Sequence, residues 1–201
     1  SPGELATRVE DGSSWLNAFA SLTDALSQVQ RGGEIWVAEG TYFPNDPTGG
    51  RRDEAFAMRP DVGIYGGFKG FGANAESLRS ERDSDLNRSI LSGDIGVLND
   101  PTDNSFNVIR NQGLAEALDR DAVLDGFVIT GAYREASATF NVSDGGAIHN
   151  QHSHPTIRNC VIEGNLGQRG GGIANHNANP LISRVVIRDN RAAIGGGLYN
   201  Y

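Results

Sequence analysis

Hydrophobic positions in the last third of the chain recur with a period of 25 residues. Ile148, Ile173 and Leu198 are separated by 25, and the residue two places after each of them is Asn. The same step relates a further set of residues, namely Pro155 and Pro180, Ile157 and Ile182, Cys160 and Val185, Ile162 and Ile187, and Asn165 and Asn190. A period of about 20 to 50 residues is typical of a solenoid, whose repeats bury their apolar faces only by stacking. The pattern therefore predicts a repeat protein.

Each repeat has the pattern of short strands. The stretches PTIRNCVIEGN and PLISRVVIRDN contain β-branched residues closed by Asn and Gly, which is typical of strands bounded by turns. Helix-pair repeats need two helices of about ten residues each, and the Gly triplets and Pro leave no room for them. Leucine-rich repeats need a Leu-x-x-Leu-x-Leu rhythm that is missing. We therefore expect an all-β parallel β-helix, with coils about 4.8 Å apart.

Stacked coils place equivalent residues directly above one another. We expect inward aliphatic ladders that fill the core, namely Ile148–Ile173–Leu198, Ile157–Ile182, Cys160–Val185 and Ile162–Ile187. We expect amide ladders at the bends, namely Asn150–Asn175–Asn200 and Asn165–Asn190. The hexamers GGAIHN, GGGIAN and GGGLYN would supply positive φ angles and a close approach of the coils. A phosphate-binding loop is disfavoured, because no helix follows the hexamers.

The earlier part of the chain repeats less regularly. Ile129 aligns with Ile162 at a separation of 33, so this coil carries eight extra residues, which fall within 133–144. Polar insertions interrupt the earlier strands at 44–54, 69–87 and 94–104. We expect one domain over 1–201, with an N-terminal segment at 1–33, irregular coils at 34–144 and regular coils at 145–201.

The N-terminal segment has the periodicity of an amphipathic helix. Apolar residues recur mostly at steps of three and four, namely Trp15, Leu16, Phe19, Leu22, Leu26 and Val29. We expect a helix over 15–29, with an N-cap at Asp11, Ser13 or Ser14 and a stop at Gly32-Gly33. This helix would cover the open N-terminal end of the β-helix, with Phe19, Leu22 and Leu26 facing the core. A membrane- or partner-binding helix is disfavoured, since a basic polar face is missing.

Composition excludes several classes of protein. The net charge of −8 argues against a nucleic-acid surface and against a polybasic membrane anchor. No apolar run approaches the roughly 18 to 20 residues of a transmembrane span. A single Cys excludes an intramolecular disulfide framework. The sequence starts at Ser1 without Met, which suits either a processed secreted protein or a fragment.

Several stretches resemble a known superfold. DGSSWLNAFASLTDALSQVQRGGEIWVAEGTY, GIYGGF, SILSGDIG and LDGFVITGA resemble secreted bacterial right-handed parallel β-helix proteins of the pectate-lyase-like superfold. The hexamers with IEGN and IRDN are similar to polymorphic outer-membrane protein repeats, although Ile162 and Ile187 stand where those repeats have Phe. The resemblance implies a right-handed coil and an extracellular, cell-surface or periplasmic location. It does not imply one function, because the superfold hosts lyases, hydrolases, adhesins and inert stalks.

Carboxylates are the first candidates for chemistry. The resemblance implies that an enzyme of this superfold would use calcium and Arg in a lyase, or clustered Asp in a hydrolase. Asp94, Asp100 and Asp103 share one insertion, and calcium takes oxygen ligands. Asp and Asn also form turns, which is the favoured interpretation. Asp125, in LDGF, is expected to cap backbone amides at a bend. No pair of Asp residues recurs on successive coils, so no catalytic residue is predicted.

Two further groups are candidates for binding. His152, His154 and His176 should gather on one turn surface, because His176 aligns with Gln151, and imidazole suits zinc, copper or nickel. Their spacing matches no standard motif, so polar turn residues are favoured. Three residues in the extra loop would offer a platform for a glycan or a protein partner, namely Tyr133, Arg134 and Phe140. The same aromatic residues would equally fold the loop onto the coils.

The C-terminal residues favour a structural role. The sequence stops at Tyr201, one residue after the hexamer GGGLYN, and an uncapped β-helix exposes strand edges that template another chain. We expect either a continuation beyond this point or association with other subunits or a second copy through this end. The predicted function is a non-catalytic secreted or cell-surface scaffold. The alternative is a polysaccharide lyase or glycoside hydrolase acting on acidic or neutral glycans, with calcium as the one conceivable cofactor.

Overall fold

The computed structural model describes residues 10–45, 48, 50–72, 75–135 and 146–201. Its strands are β1 Glu34–Ala38, β2 Gly40–Tyr42, β3 Gly63–Phe68, β4 Ser89–Ser92, β5 Ile109–Asn111, β6 Val123–Asp125, β7 Phe127–Thr130, β8 Ile148–Gln151, β9 Thr156–Arg158, β10 Val161–Glu163, β11 Leu166–Arg169, β12 Ile173–His176, β13 Leu181–Ser183, β14 Val186–Arg188, β15 Arg191–Ile194 and β16 Leu198–Asn200. One α-helix, α1, spans Leu22–Gln28, and short 3-10 helices span Trp15–Asn17 and Arg79–Glu81.

The strands form parallel sheets that run along the axis of a β-helix. The strand orders are β1-β3-β6-β9-β13, β14-β10-β7-β4-β2, β16-β12-β8-β5 and β11-β15. Each coil contributes one strand to each of the two five-stranded sheets, so that residues distant in sequence become neighbours. Ile162 lies opposite Ile187 on one side and opposite Ile129 on the other. The predicted all-β parallel β-helix with an N-terminal helix is confirmed.

Aliphatic residues fill the interior along the predicted register. Ile148 pairs with Ile173, and Ile173 pairs with Leu198. The fully buried members of the core include Ile148, Ile157, Ile162 and Ile173, each with 0% of its surface exposed. Cys160 is buried among them, and burial raises the pKa of its thiol to about 12. This thiol therefore acts as an apolar filler at neutral pH.

The main amide ladder lies inside the sheet and not at the bends, where it was expected. Asn150 and Asn175 sit within β8 and β12, two residues after inward-facing Ile, so both side chains also point inward. The ladder starts one coil earlier than the sequence period suggests, because Asn111 Nδ2 donates to Asn150 Oδ1 at 2.9 Å. Asn150 then donates to Asn175 at 2.9 Å, and Asn175 donates to Asn200 at 2.8 Å. Each buried amide is thereby satisfied by the next coil.

The N-terminal helix is shorter than the periodicity predicts. A 3-10 turn after Ser14 precedes a break, and α1 begins only after Ser21, whose Oγ accepts from the amide of Asp24 at 3.0 Å. Ser hydroxyls compete for backbone amides in this way, so each starts a separate short helix. Leu22 and Leu26 are buried against the first coil, whereas Leu16 is 62% exposed. The helix ends at Gln28, before the Gly pair.

Left-handed residues turn the coils at equivalent positions. Gly126, Asn159 and Arg184 have φ angles of 87°, 51° and 50°, and they follow one another at the repeat separations of 33 and 25. Within the hexamers, Gly170 and Gly195 have positive φ, whereas Gly171 and Gly172 serve close packing against the backbone of the next coil. The two roles predicted for the hexamer glycines thus fall on different positions.

Candidate functional site

The extra loop and the 94–104 insertion meet at one surface, the insertion junction, formed by 94–106, 133–135 and Arg52. Arg52 donates to the backbone oxygens of Asn104 at 2.7 Å and Tyr133 at 2.9 Å. The guanidinium groups of Arg52 and Arg134 lie 4.5 and 4.1 Å from the centre of the Phe106 ring. These contacts hold Tyr133 and Arg134, at the start of the loop, to the coils, and Phe140 lies outside the described residues.

The three Asp residues of this insertion each accept hydrogen bonds from nearby backbone. Asp94 accepts from the amide of Asn99 at 3.1 Å, and Asp103 accepts from Val97 at 2.7 Å. Asp100 accepts from the amide and the hydroxyl of Thr102, which lowers the pKa of its carboxyl. The three therefore hold separate turns. Calcium binding there stays a prediction.

A different carboxylate group converges elsewhere on the surface. Among the described ranges, the group of three acidic residues with ligand atoms within 4.8 Å of one another is Asp61, Asp119 and Asp121. Arg31 neutralises part of this charge, because its guanidinium lies 2.6 Å from Asp61 and 2.8 Å from Glu116. The sequence pattern missed this group because its members come from two coils separated by an insertion.

The histidines follow the predicted stacking. His176 pairs with Gln151, and its ring lies 5.8 Å from that of His152 and 4.3 Å from that of Tyr201, measured between ring centres. His154 points elsewhere, because its Nδ1 accepts from the amide of Asn179 at 2.9 Å. The imidazoles of His152 and His176 thus belong to one aromatic stack. Because His154 is bonded elsewhere, the geometry does not favour a metal shared by the three histidines.

Asp125 has a different role from the backbone cap that was expected. Its side chain is 2% exposed and lies 2.8 Å from Arg82 and 2.7 Å from Arg158, and it also accepts from Asn159 at 2.7 Å. Burial works to raise the pKa of Asp125, but the hydrogen bonds from Asn159, Arg82 and Arg158 outweigh it, so the pKa lies below its usual value. The carboxylate ties three coils together. The step of 33 residues places Arg158 beside Asp125, whereas the contact with Arg82 is absent from the sequence period because Arg82 belongs to an insertion.

The last coil presents an unpartnered edge, here called the last-coil edge, made of β13, β14, β15 and β16. In each sheet these strands occupy the terminal position among the described residues. Its exposed apolar side chains are Leu181, Val186, Ile194, Leu198 and Tyr201. An apolar edge with unpaired backbone groups is a template for another strand.

The opposite end of the molecule contains a groove of about 760 Å3 beside β1, here called the β1 groove. Trp15, Trp36 and Phe68 form an aromatic cluster next to it, with the Trp36 and Phe68 rings stacked at 4.8 Å. The volume falls in the range of about 300 to 1,000 Å3 that is typical of ligand sites.

A family model described as "Protein of unknown function (DUF1565)" matches residues 9–196, which is nearly the whole chain. The chain belongs to the DUF1565 family. No curated protein and no solved structure matches it.

The match extends from the segment before α1 into the last hexamer, so it covers the coils of this DUF1565 chain together and not a single repeat. Within the described parts of the chain, no helix is long and apolar enough to cross a bilayer. Two surfaces in the described part of this DUF1565 protein are open to another molecule, the last-coil edge and the β1 groove.

Proposed function

We propose that this protein is a non-catalytic β-helix scaffold of a secreted or cell-surface protein, and that its last-coil edge receives a further β-coil. The partner coil belongs either to the same chain or to another subunit. The proposal rests on one observation about the glycines of the last coil.

One glycine position recurs in all three hexamers where the coils stack, namely Gly146, Gly171 and Gly196. A Cβ on Gly146 would overlap the carbonyl oxygen of Gly171, and a Cβ on Gly171 would lie 2.6 Å from that of Gly196. Such contacts with backbone atoms are too short for a side chain. In contrast, the nearest atom to a Cβ on Gly196 would be the carbonyl oxygen of Asn190, at 3.2 Å. The last coil thus retains Gly196 where its own contacts leave more room, and a further coil would require glycine there.

The ends of the ladders support the same proposal. Leu198 is 37% exposed, whereas Ile173, its equivalent in the coil below, is fully buried. The Oδ1 of Asn200 accepts a hydrogen bond from Asn175, and a further coil would provide an acceptor for the Nδ2 of Asn200. Burying the exposed apolar side chains would stabilise the assembly by roughly 25 cal/mol per Å2.

The experiment is to extend the chain by one coil. A second copy of residues 177–201 appended after Tyr201 should stack in register and raise the free energy of unfolding, because solenoid stability grows with each interface. An appended Gly/Ser segment of the same length is the control and should leave stability unchanged. Chemical denaturation followed by circular dichroism measures both.

Gly196→Ala makes the test specific. The substitution should lower the stability of the 201-residue protein only slightly, but it should abolish the gain in the extended protein. An extended protein that is no more stable than the original, or an equal effect of Gly196→Ala in both, would overturn the stacking proposal.

Catalysis is tested separately. Polygalacturonate, alginate and neutral glycans would be incubated with the protein, with and without calcium, and unsaturated products and reducing ends measured. Turnover that is lost in Asp100→Ala or Asp103→Ala would replace the scaffold with the glycan-active enzyme.

A further inference from the structure

The last coil is basic in an otherwise acidic protein. Residues 177–201 contain one Asp and three arginines, namely Arg184, Arg188 and Arg191. The net charge of the whole chain is −8, so the rest of the chain carries the excess of carboxylates. All three arginines are exposed, and Arg191 lies opposite Leu166, which offers no acceptor to its guanidinium. The last-coil edge therefore presents cationic groups whose charge is not balanced within this coil.

Carboxylates within the stack are held by opposite charges on two sides. Glu163 accepts from Arg188, in the last coil, at 2.7 Å and lies 3.6 Å from Arg88 on the opposite side. Asp125 is likewise held between two arginines. Arg188 has a carboxylate on one side and is 58% exposed, against 24% for Glu163. Because a guanidinium has more N–H donors than Glu163 uses, Arg188 can bind a second carboxylate on a further coil.

Arg184 makes a similar demand at a turn. Its Nε donates to Asn159 Oδ1 at 2.6 Å, and the φ angles of Arg184 and Asn159 are 50° and 51°. The equivalent residue of a further coil would adopt the same left-handed conformation, which Asn and Asp tolerate better than other residues with a side chain. An Asp at that position would satisfy both the backbone conformation and the remaining donors of Arg184.

A second copy of this protein is a poor occupant of the last-coil edge. Its own last coil carries the same three arginines, so two such edges would repel each other, and like charges across a strand pair are destabilising. Its first coil is covered by α1, where Leu22 and Leu26 are buried against the core. Neither end of a second copy therefore matches this edge.

We propose that the coil received by the last-coil edge carries acidic side chains opposite Arg184, Arg188 and Arg191. This inference rests on the proposed stacking function and adds the chemistry of the partner: an acidic β-coil that is not a second copy of this protein. The apolar and amide ladders provide the stacking, and the charges select which coil stacks.

The protein extended by a repeat of residues 177–201 tests the charge requirement, because its added arginines stack on the three arginines of the last coil. In one variant the added arginines are replaced by Glu. In a second they are replaced by Gln, which removes the repulsion without adding a carboxylate. Protection factors for the amides of the added coil come from hydrogen exchange at low ionic strength. They should be about tenfold higher with Glu than with Gln, and lowest with the unmodified repeat. In 1 M salt these differences should shrink to about twofold or less.

A charge swap at Arg191 separates pairing from a general effect of added negative charge. Arg191 is suited to this because its strand partner, Leu166, is uncharged. Arg191→Glu beneath the unmodified repeat should raise protection of the added coil, since an added Arg then stacks on Glu. Arg191→Glu beneath a repeat that has Glu at the equivalent position should lower it. The four combinations form a double-mutant cycle that isolates the pairwise effect.

The outcomes distinguish this inference from the stacking function on which it rests. Equal protection in the Glu, Gln and unmodified extensions, or no coupling at Arg191, would overturn the acidic partner and leave the stacking function intact. If the added coil were unprotected in every extension, the stacking function would fail, and the acidic partner with it. Self-association of the unextended protein that Leu198→Asp abolishes would also overturn the inference, since the partner would then be a second copy.

Discussion

At the scale of single residues, the buried polar groups of this β-helix gain their partners from neighbouring coils. Asn150 is fully buried and both accepts from Asn111 and donates to Asn175. An unsatisfied buried amide costs about 1 to 3 kcal/mol, so each member of the ladder depends on the one above and the one below.

Asn150→Leu should therefore destabilise the protein by about 2 to 5 kcal/mol, because it leaves one donor and one acceptor buried without partners. Asn200→Leu is the matched control, since Asn200 is exposed and has a neighbour on one side. Its cost should be smaller, about 1 to 2 kcal/mol, because the Asn175 donor alone loses its partner. Urea unfolding measures both, and equal losses would show that the ladder is not the cause.

Asp125 makes stability depend on pH. Its folded pKa lies below the unfolded value of about 3.9, so the ionised carboxylate contributes stability above that value and loses it as the pH falls through the folded pKa. Asp125→Asn should cost roughly 2 to 4 kcal/mol at pH 7, less than a fully buried pair because Arg158 is partly exposed.

The difference in the free energy of unfolding between the wild type and Asp125→Asn should become smaller as the pH is lowered below about 4, because the wild-type carboxyl is then neutral as well. Guanidinium unfolding at pH 7 and at pH 3 gives the two differences. The exposed Asp85→Asn serves as the comparison and should change stability little at either pH. If this difference in the free energy of unfolding did not change with pH, Asp125 would not be the cause of the pH dependence of stability.

At the scale of elements, the sequence period predicts what repeats and fails where insertions interrupt it. The step of 25 residues gives the pairing of Ile162 with Ile187 directly. It cannot give Asn111, which lies 39 residues before Asn150, or the contact of Asp125 with Arg82, because insertions change the spacing. The period of an amphipathic helix also did not predict that α1 begins after Ser21. It does not show that the hydroxyl of Ser21 caps a second, separate helix.

The N-terminal helix should contribute to stability through its buried face. Leu26 is 7% exposed and packs on the core, so Leu26→Ala should cost about 2 to 5 kcal/mol. Leu16→Ala is the control, because Leu16 is 62% exposed, and its effect should stay within about 0.5 kcal/mol. Thermal unfolding compares them, and a neutral Leu26→Ala would mean that α1 does not cover the core.

At the scale of the whole molecule, each coil contacts only its neighbours, so stability should vary along the stack. The amide of Ile148, in the buried middle of the stack, donates to the carbonyl oxygen of Gly172. The amide of Val186, in the last coil, donates to the carbonyl oxygen of Cys160. Hydrogen exchange should be faster for β13 to β16 than for β8 and β9, because fewer contacts hold the last coil. Uniform protection across these strands would show that the coils unfold as one unit. In the extended protein, the fast-exchanging coil should become protected.

The amide ladder also has a direction. The backbone amide of Met58 donates to Asn111 Oδ1, and from there each side-chain Nδ2 donates to the next coil, ending at Asn200. Aligned amide dipoles add and polarise one another, so the row has a positive pole at Asn200. A coil stacked with the opposite chain direction would present its own Nδ2 donor to the Nδ2 donor of Asn200. The ladder therefore selects the polarity of growth: a coil that stacks here must present an acceptor and run in the same sense as the coils beneath it.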